Sequence, residues 1–160
     1  MISYSERDGS EGIMAVFSRR SIAIASAVVL GIRCGGGSSS RVLSVGGTYQ
    51  TAVTLLAGNT CSGITVQSNP TTVTQIPGST SLTVTHAGNA YQGSVATNGS
   101  FATVPTLVGG LSNQSDITIS GQFSAAGFDA TVTVHQILPT ACSYMVHWVG
   151  TKNGDLNTFP

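Results

Sequence analysis

Histidines and aspartates carry most of the potential for acid–base and metal chemistry after Cys34, because no glutamate follows that residue. The three histidines, His86, His135 and His147, fall on separate predicted strands. Side chains alternate between the two faces of a strand, so His86 lies on an apolar face. By the same parity, His135 and His147 lie opposite the apolar faces of their strands. We therefore expect them not to converge, and we predict no metal site.

The carboxylates offer little support for an enzyme. Asp116 and Asp129 are the two that could pair across a hairpin, as general acid–base chemistry would require. Aspartates at turns and strand ends more often accept hydrogen bonds from the backbone. The chain also lacks a GxSxG elbow, a phosphate-binding loop and a dinucleotide fingerprint. We predict no catalytic residue, no cofactor and no enzymatic activity.

Cys61 and Cys142 are predicted to form a disulfide. The chain has three cysteines, which is an odd number for an exported protein. If Cys34 is consumed by another modification, the other two should oxidise outside the cytoplasm. The bridge would stabilise the fold by roughly 4 kcal/mol by restricting the unfolded chain. Two buried free thiols are the alternative, and the absence of CxxC spacing disfavours zinc.

The N-terminal region has the layout of a secretory signal. An arginine pair precedes an apolar run from Ile22 to Ile32, which is shorter than the roughly 20 residues of a membrane-spanning helix. Residues 1–33 are therefore predicted to be an export signal. A start at Met14 would leave residues 1–13 untranslated. The arginine pair also resembles the twin-arginine export motif, but an ordinary basic region is the favoured interpretation.

Cys34 is the predicted lipidation site. It follows the apolar run and begins the Gly/Ser-rich residues 34–45, an arrangement that resembles a bacterial lipoprotein junction with a flexible tether. Arg33 departs from that pattern, which normally has a small residue before the cysteine. Conventional cleavage nearby, with release of the protein, is the alternative.

Residues 46–150 are predicted to be one all-β domain, followed by a polar tail over residues 151–160. Short segments with a period of two are separated by turn residues, which is typical of strands. The connections are mostly short, although residues 106–115 read as a longer one. We expect an antiparallel meander barrel or sandwich of about eight strands. The predicted strands cover residues 48–56, 60–67, 71–76, 81–86, 91–96, 101–104, 117–123, 128–136 and 142–149.

Seven aromatic residues are candidates for the interior of this domain. They could line a ligand cavity, or they could fill the interior as core, which is the commoner outcome at this domain size. The seven are Tyr49, Tyr91, Phe101, Phe123, Phe128, Tyr144 and Trp148.

Two stretches carry a resemblance to a known class of proteins. SLTVTHAGNAYQGSVATNGSFATV (81–104) and GQFSAAGFDATVTV (121–134) resemble the small repetitive β domains of bacterial envelope lipoproteins. The resemblance implies a lipocalin-like or related meander barrel. It implies no assigned activity and no functional residue.

Composition limits the possible partners. Only 8% of the residues are charged, against about 25% in an average soluble protein. Nucleic-acid binding needs a basic face, so it is not expected.

We predict a non-catalytic, envelope-tethered binding or interaction domain, exported to the outer membrane, the periplasm or the medium. It would meet the membrane only through a lipid anchor, and its ligand or protein partner is unknown. The alternatives are a lipocalin-like carrier of a small hydrophobic ligand and a self-assembling subunit of a surface layer or fibre.

Overall fold

Nine β-strands make up the part of the chain that the computed structural model describes, residues 41–160. The predicted export signal, Cys34 and most of the predicted tether lie outside the described residues. Within residues 41–160, no helix is long and apolar enough to cross a membrane. The strands are β1 (Gly47–Leu55), β2 (Thr71–Gln75), β3 (Ser81–His86), β4 (Asn89–Val95), β5 (Ser100–Thr103), β6 (Thr106–Gly110), β7 (Asn113–Ser124), β8 (Gly127–Leu138) and β9 (Cys142–Asn153).

The strands close into an eight-stranded antiparallel barrel. Their order is β5-β4-β3-β2-β1-β9-β8-β7-β6, and β5 also pairs with β7. Strands β5 and β6 lie end to end along β7, with Ser100 opposite Gln122 and Thr106 opposite Ile117. Pro105 separates them, because proline has no N–H group to donate to a ladder. The all-β meander is confirmed, and of the two predicted architectures the barrel is the one formed.

Strand alternation places the apolar side chains inside the barrel. Strand β8 is the clearest case, since Phe128, Ala130, Val132 and Val134 are all buried. The polar residues between them face outward, as expected for a sheet with one wet face. His86 is buried on the same side as the apolar residues of β3, as its parity predicts.

Two predicted segments differ from the structure. Residues 60–67 are not a strand but belong to a loop of residues 56–70. The loop makes isolated backbone hydrogen bonds to β9, from the Leu56 and Thr60 amides, and no continuous ladder. Residues 106–115 are not a long connection but β6 and the start of β7. Gly109 and Gly110 are the last two residues of β6 and precede the turn to β7. Gly109 has a φ of 98°, and a side chain there would collide with the Asn113 carbonyl oxygen.

Residues 151–160, predicted as a polar tail, include the end of β9 at Asn153 and the buried side chain of Asn157. The domain likewise begins before residue 46, since Leu43 and Val45 belong to the core. A bridge between Ser44 and Thr158 joins the two ends of the described chain. Both terminal segments therefore pack against one end of the barrel, which we call the closed end.

Tyr49 organises the closed end. Its hydroxyl lies 2.6 Å from the Val45 carbonyl oxygen and 2.8 Å from Asn157 Oδ1, so its one proton is shared between two acceptors. Burial raises the pKa of Tyr49 to about 12. The ring packs edge-on against Phe128 at 5.1 Å between centroids. Aromatic side chains thus fill the interior of the barrel at this end.

Candidate ligand cavity

A cavity of about 180 Å³ lies at the end of the barrel opposite Tyr49, which we call the mouth. Half of the residues in its wall are aliphatic, among them Val132, Val134 and Val146, and the rest are aromatic or polar. Tyr91, Tyr144 and Trp148 add aromatic surface. These side chains come from inward-facing positions on neighbouring strands, so the strand alternation that builds the core also builds the cavity wall.

The loop of residues 56–70 covers this cavity. Thr65, Val66 and Gln67 line it from the loop, and Val66 is half-buried against the core. The Leu56 amide donates to the Met145 carbonyl oxygen at 2.9 Å, which ties one side of the loop to β9. On the other side, the Val53 amide donates to Ser68 Oγ at 3.1 Å. The loop is therefore fixed at both ends across the mouth.

The predicted disulfide between Cys61 and Cys142 is confirmed, with the two Cα atoms 5.1 Å apart. Cys61 lies in the covering loop and Cys142 begins β9. The bridge therefore anchors the middle of the loop to the barrel rim. Next to it, the Thr60 amide donates to the Ser143 carbonyl oxygen at 2.8 Å, which reinforces the same attachment.

A chain of three polar side chains crosses the interior beside the cavity. Thr51 Oγ1 lies 2.8 Å from Thr71 Oγ1, which in turn lies 2.8 Å from His86 Nδ1. All three residues are buried, and His86 lines the cavity at 8% exposure. If Thr51 donates to Thr71 and Thr71 donates to Nδ1, the imidazole carries its proton on Nε2. Within residues 41–160 Nε2 has no hydrogen-bond partner, but it remains in contact with solvent.

Local sequence holds His86 at the rim of the mouth. It ends β3 opposite Thr71, and the next two residues, Ala87 and Gly88, have φ values of 47° and 82°. Two successive positive φ values make the tight hairpin turn whose twist matches paired strands. The Trp148 ring lies 4.1 Å from the imidazole between centroids and supports its face. Burial lowers the pKa of His86, so the neutral ring is favoured at neutral pH.

The seven aromatic residues fall into two groups, one at each end of the barrel. Tyr91, Tyr144 and Trp148 line the mouth cavity. Burial raises the pKa of Tyr91 and of Tyr144, which keeps both phenols neutral. The other four fill the closed end as core: Tyr49, Phe101, Phe123 and Phe128.

The remaining histidines and aspartates lie away from the cavity. His147 Nε2 is 2.8 Å from Asp129 Oδ2, and both side chains are exposed to solvent. Asp116 is opposite His135 in the β7–β8 register, so the possible pairing of Asp116 with Asp129 does not form. Within the described residues, no group of three or more His, Cys, Asp or Glu side chains could hold a metal ion.

Asp116, His135 and Ser143 stand in one row across β7, β8 and β9. His135 Nδ1 lies 2.9 Å from Ser143 Oγ, but His135 and Asp116 form no ion pair within 4.0 Å among residues 41–160. A catalytic triad needs the acid to orient the imidazole through its second nitrogen. His135 is also exposed, so its imidazole is open to water. The row therefore contains one exposed hydrogen bond and lacks the acid–imidazole contact of a triad.

Comparison of the chain with protein-family models, with curated proteins and with solved structures finds no match. The chemistry of the mouth cavity is therefore the basis for assigning a function.

Proposed function

We propose that this domain is a non-catalytic binding module that holds a small, uncharged and largely apolar molecule in the mouth cavity. The observation that carries this proposal is the cavity of about 180 Å³ under residues 56–70, in a barrel whose other end is filled. A dry apolar cavity of roughly 150 Å³ is large enough to take up benzene. The volume therefore suits a guest with a single ring.

The cavity wall favours a neutral guest. Among the described residues that line it, none is Lys, Arg, Asp or Glu. Its titratable groups, His86, Tyr91 and Tyr144, all have a pKa shifted toward the neutral form by burial. A charged guest would lose its hydration without gaining an ionic partner, which costs several kcal/mol.

Barrel closure supports binding over assembly through sheet edges. Polymerisation by strand addition needs an exposed edge with unpaired backbone groups. In the described barrel the end strands β5 and β6 both pair with β7, and β6 has only five residues. The free edge of β6 is therefore short, which gives strand addition little to build on.

We also propose that the protein is exported and tethered through Cys34. The disulfide is consistent with an oxidising compartment, although it does not specify one. We expect the intact mass of protein from the cell envelope, measured without reductant, to start at Cys34 with acyl chains added. A mass that retains residues before Cys34, or that carries no lipid, would contradict the tether and leave the cavity proposal standing.

Benzene is a direct probe of the binding function. We expect calorimetric titration of the purified protein with benzene to show saturable binding with one site. The variant Val66→Phe should lose this binding, because the added ring occupies the cavity from the loop without altering the barrel wall. Asn59→Phe is the matched control, since it places the same ring on an exposed position of the same loop. Equal benzene affinity in Val66→Phe and the wild type would contradict the assignment of the site.

A further inference from the structure

We propose that His86 Nε2 donates a hydrogen bond to the guest, so that the preferred ligand is a neutral ring bearing one acceptor oxygen. This inference rests on the proposed binding function and specifies the class of molecule bound. A carbonyl group attached to a single ring has this chemistry and fits the size of the cavity.

The first argument is the free-energy cost of burying the three hydrogen-bonded polar side chains. Thr51, Thr71 and His86 lie among apolar side chains, where polar groups are destabilising unless their hydrogen bonds are made. The 2.8 Å contacts satisfy the Thr71 hydroxyl and His86 Nδ1. They leave Nε2 as a donor on a ring that is 8% exposed and that borders the cavity. An acceptor on the guest would complete the chain.

The fixed orientation of the imidazole is the second argument. Thr71 holds Nδ1 from the neighbouring strand, and Trp148 packs on the ring face with an interplanar angle of 33°. A donor held in place before binding loses little conformational entropy when the guest arrives. Specificity follows because a guest without an acceptor would displace water from this N–H without replacing its hydrogen bond.

Two other groups could compete for the same role. The phenols of Tyr91 and Tyr144 also line the cavity, and their neutral hydroxyls are hydrogen-bond donors. Neither is held by a partner comparable to Thr71 among the described side chains. The structure therefore favours His86 as the discriminating donor, and the phenols provide the controls.

Acetophenone and α-methylstyrene form a matched pair of probes, because a methylene group replaces the carbonyl oxygen in the second. The experiment measures the dissociation constant of each by calorimetry for the wild type, His86→Phe and Tyr144→Phe. We expect the preference of the wild type for acetophenone to fall about tenfold in His86→Phe, the effect of one buried hydrogen bond. Tyr144→Phe should keep the preference. Comparing variants cancels the different solubilities of the probes.

A second measurement needs no substitution. The ¹⁵N and ¹H resonances of His86 Nε2–H in the wild-type protein should shift with acetophenone and remain nearly unchanged with α-methylstyrene. If both probes bind with the same relative preference in all variants, the role of His86 is wrong while the binding function stands. If the preference is lost in Tyr144→Phe instead, the donor is misassigned. If the wild type binds neither probe, both the inference and the binding function fail.

Discussion

Replacing Cys61 and Cys142 together with serine is expected to lower the free energy of unfolding by about 4 kcal/mol. The bridge spans a sequence separation of 81 residues, so its loss greatly enlarges the conformational freedom of the unfolded chain. In the folded protein, the loop of residues 56–70 would keep its backbone hydrogen bonds to β9 but lose the covalent anchor in its middle. Urea denaturation followed through Trp148 fluorescence measures the change.

The control for the disulfide is Ser62→Ala, an exposed substitution beside Cys61 that leaves the bridge intact. It should change stability by less than about 0.5 kcal/mol. Reduction of the wild-type protein should reproduce the loss seen in the double serine variant. A loss below about 1 kcal/mol would mean that hydrogen bonds, and not the disulfide, hold the loop on the mouth.

Gly150→Ala is expected to cost about 2–3 kcal/mol, which is the upper range for overpacking a core with one methyl group. Gly150 is a residue of β9 that faces the interior of the barrel, and it lies directly opposite Phe128 on β8. A Cβ atom there would lie 2.6 Å from Cδ1 and Cζ of Phe128. The ring has little room to retreat, because Tyr49 and Phe123 pack against it at 5.1 and 5.9 Å between centroids. Thermal denaturation of the purified protein measures the effect.

Gly110→Ala provides the matched control, because a Cβ atom at Gly110 would meet nothing within 4 Å. Its φ is not in the positive region, so alanine introduces no backbone strain there. The midpoint temperature of this variant should match that of the wild type within a few degrees. A similar midpoint for Gly150→Ala would show that the aromatic cluster of the closed end is loosely packed.

Strand alternation and turn residues made most of the fold predictable from the sequence. The pattern from Phe128 to His135 identifies a half-buried strand, and the Asn98–Gly99 pair predicts the turn between β4 and β5. Parity also placed His86 inside and His135 outside. These features are local, so each is visible within a few residues of sequence.

Long-range packing accounts for what the sequence did not reveal. Ile64 and Val66 alternate like strand residues, but they belong to a loop that the disulfide and β9 hold over the mouth. Thr51 and Thr71 are buried, although threonine is common on the exposed faces of strands. Their inward parity beside Tyr49 and Val73 was the available clue. The pairing of Thr71 with His86, however, depends on a register that only the closed barrel sets.

The crystal structure of the protein with bound benzene tests the central claim most directly. We predict the ring inside the mouth, beneath Val66 and against Val132 and Trp148, with the barrel wall unchanged. Benzene found only in depressions on the outer surface, or a mouth filled by rearranged side chains, would contradict the assignment of this domain as a binding module.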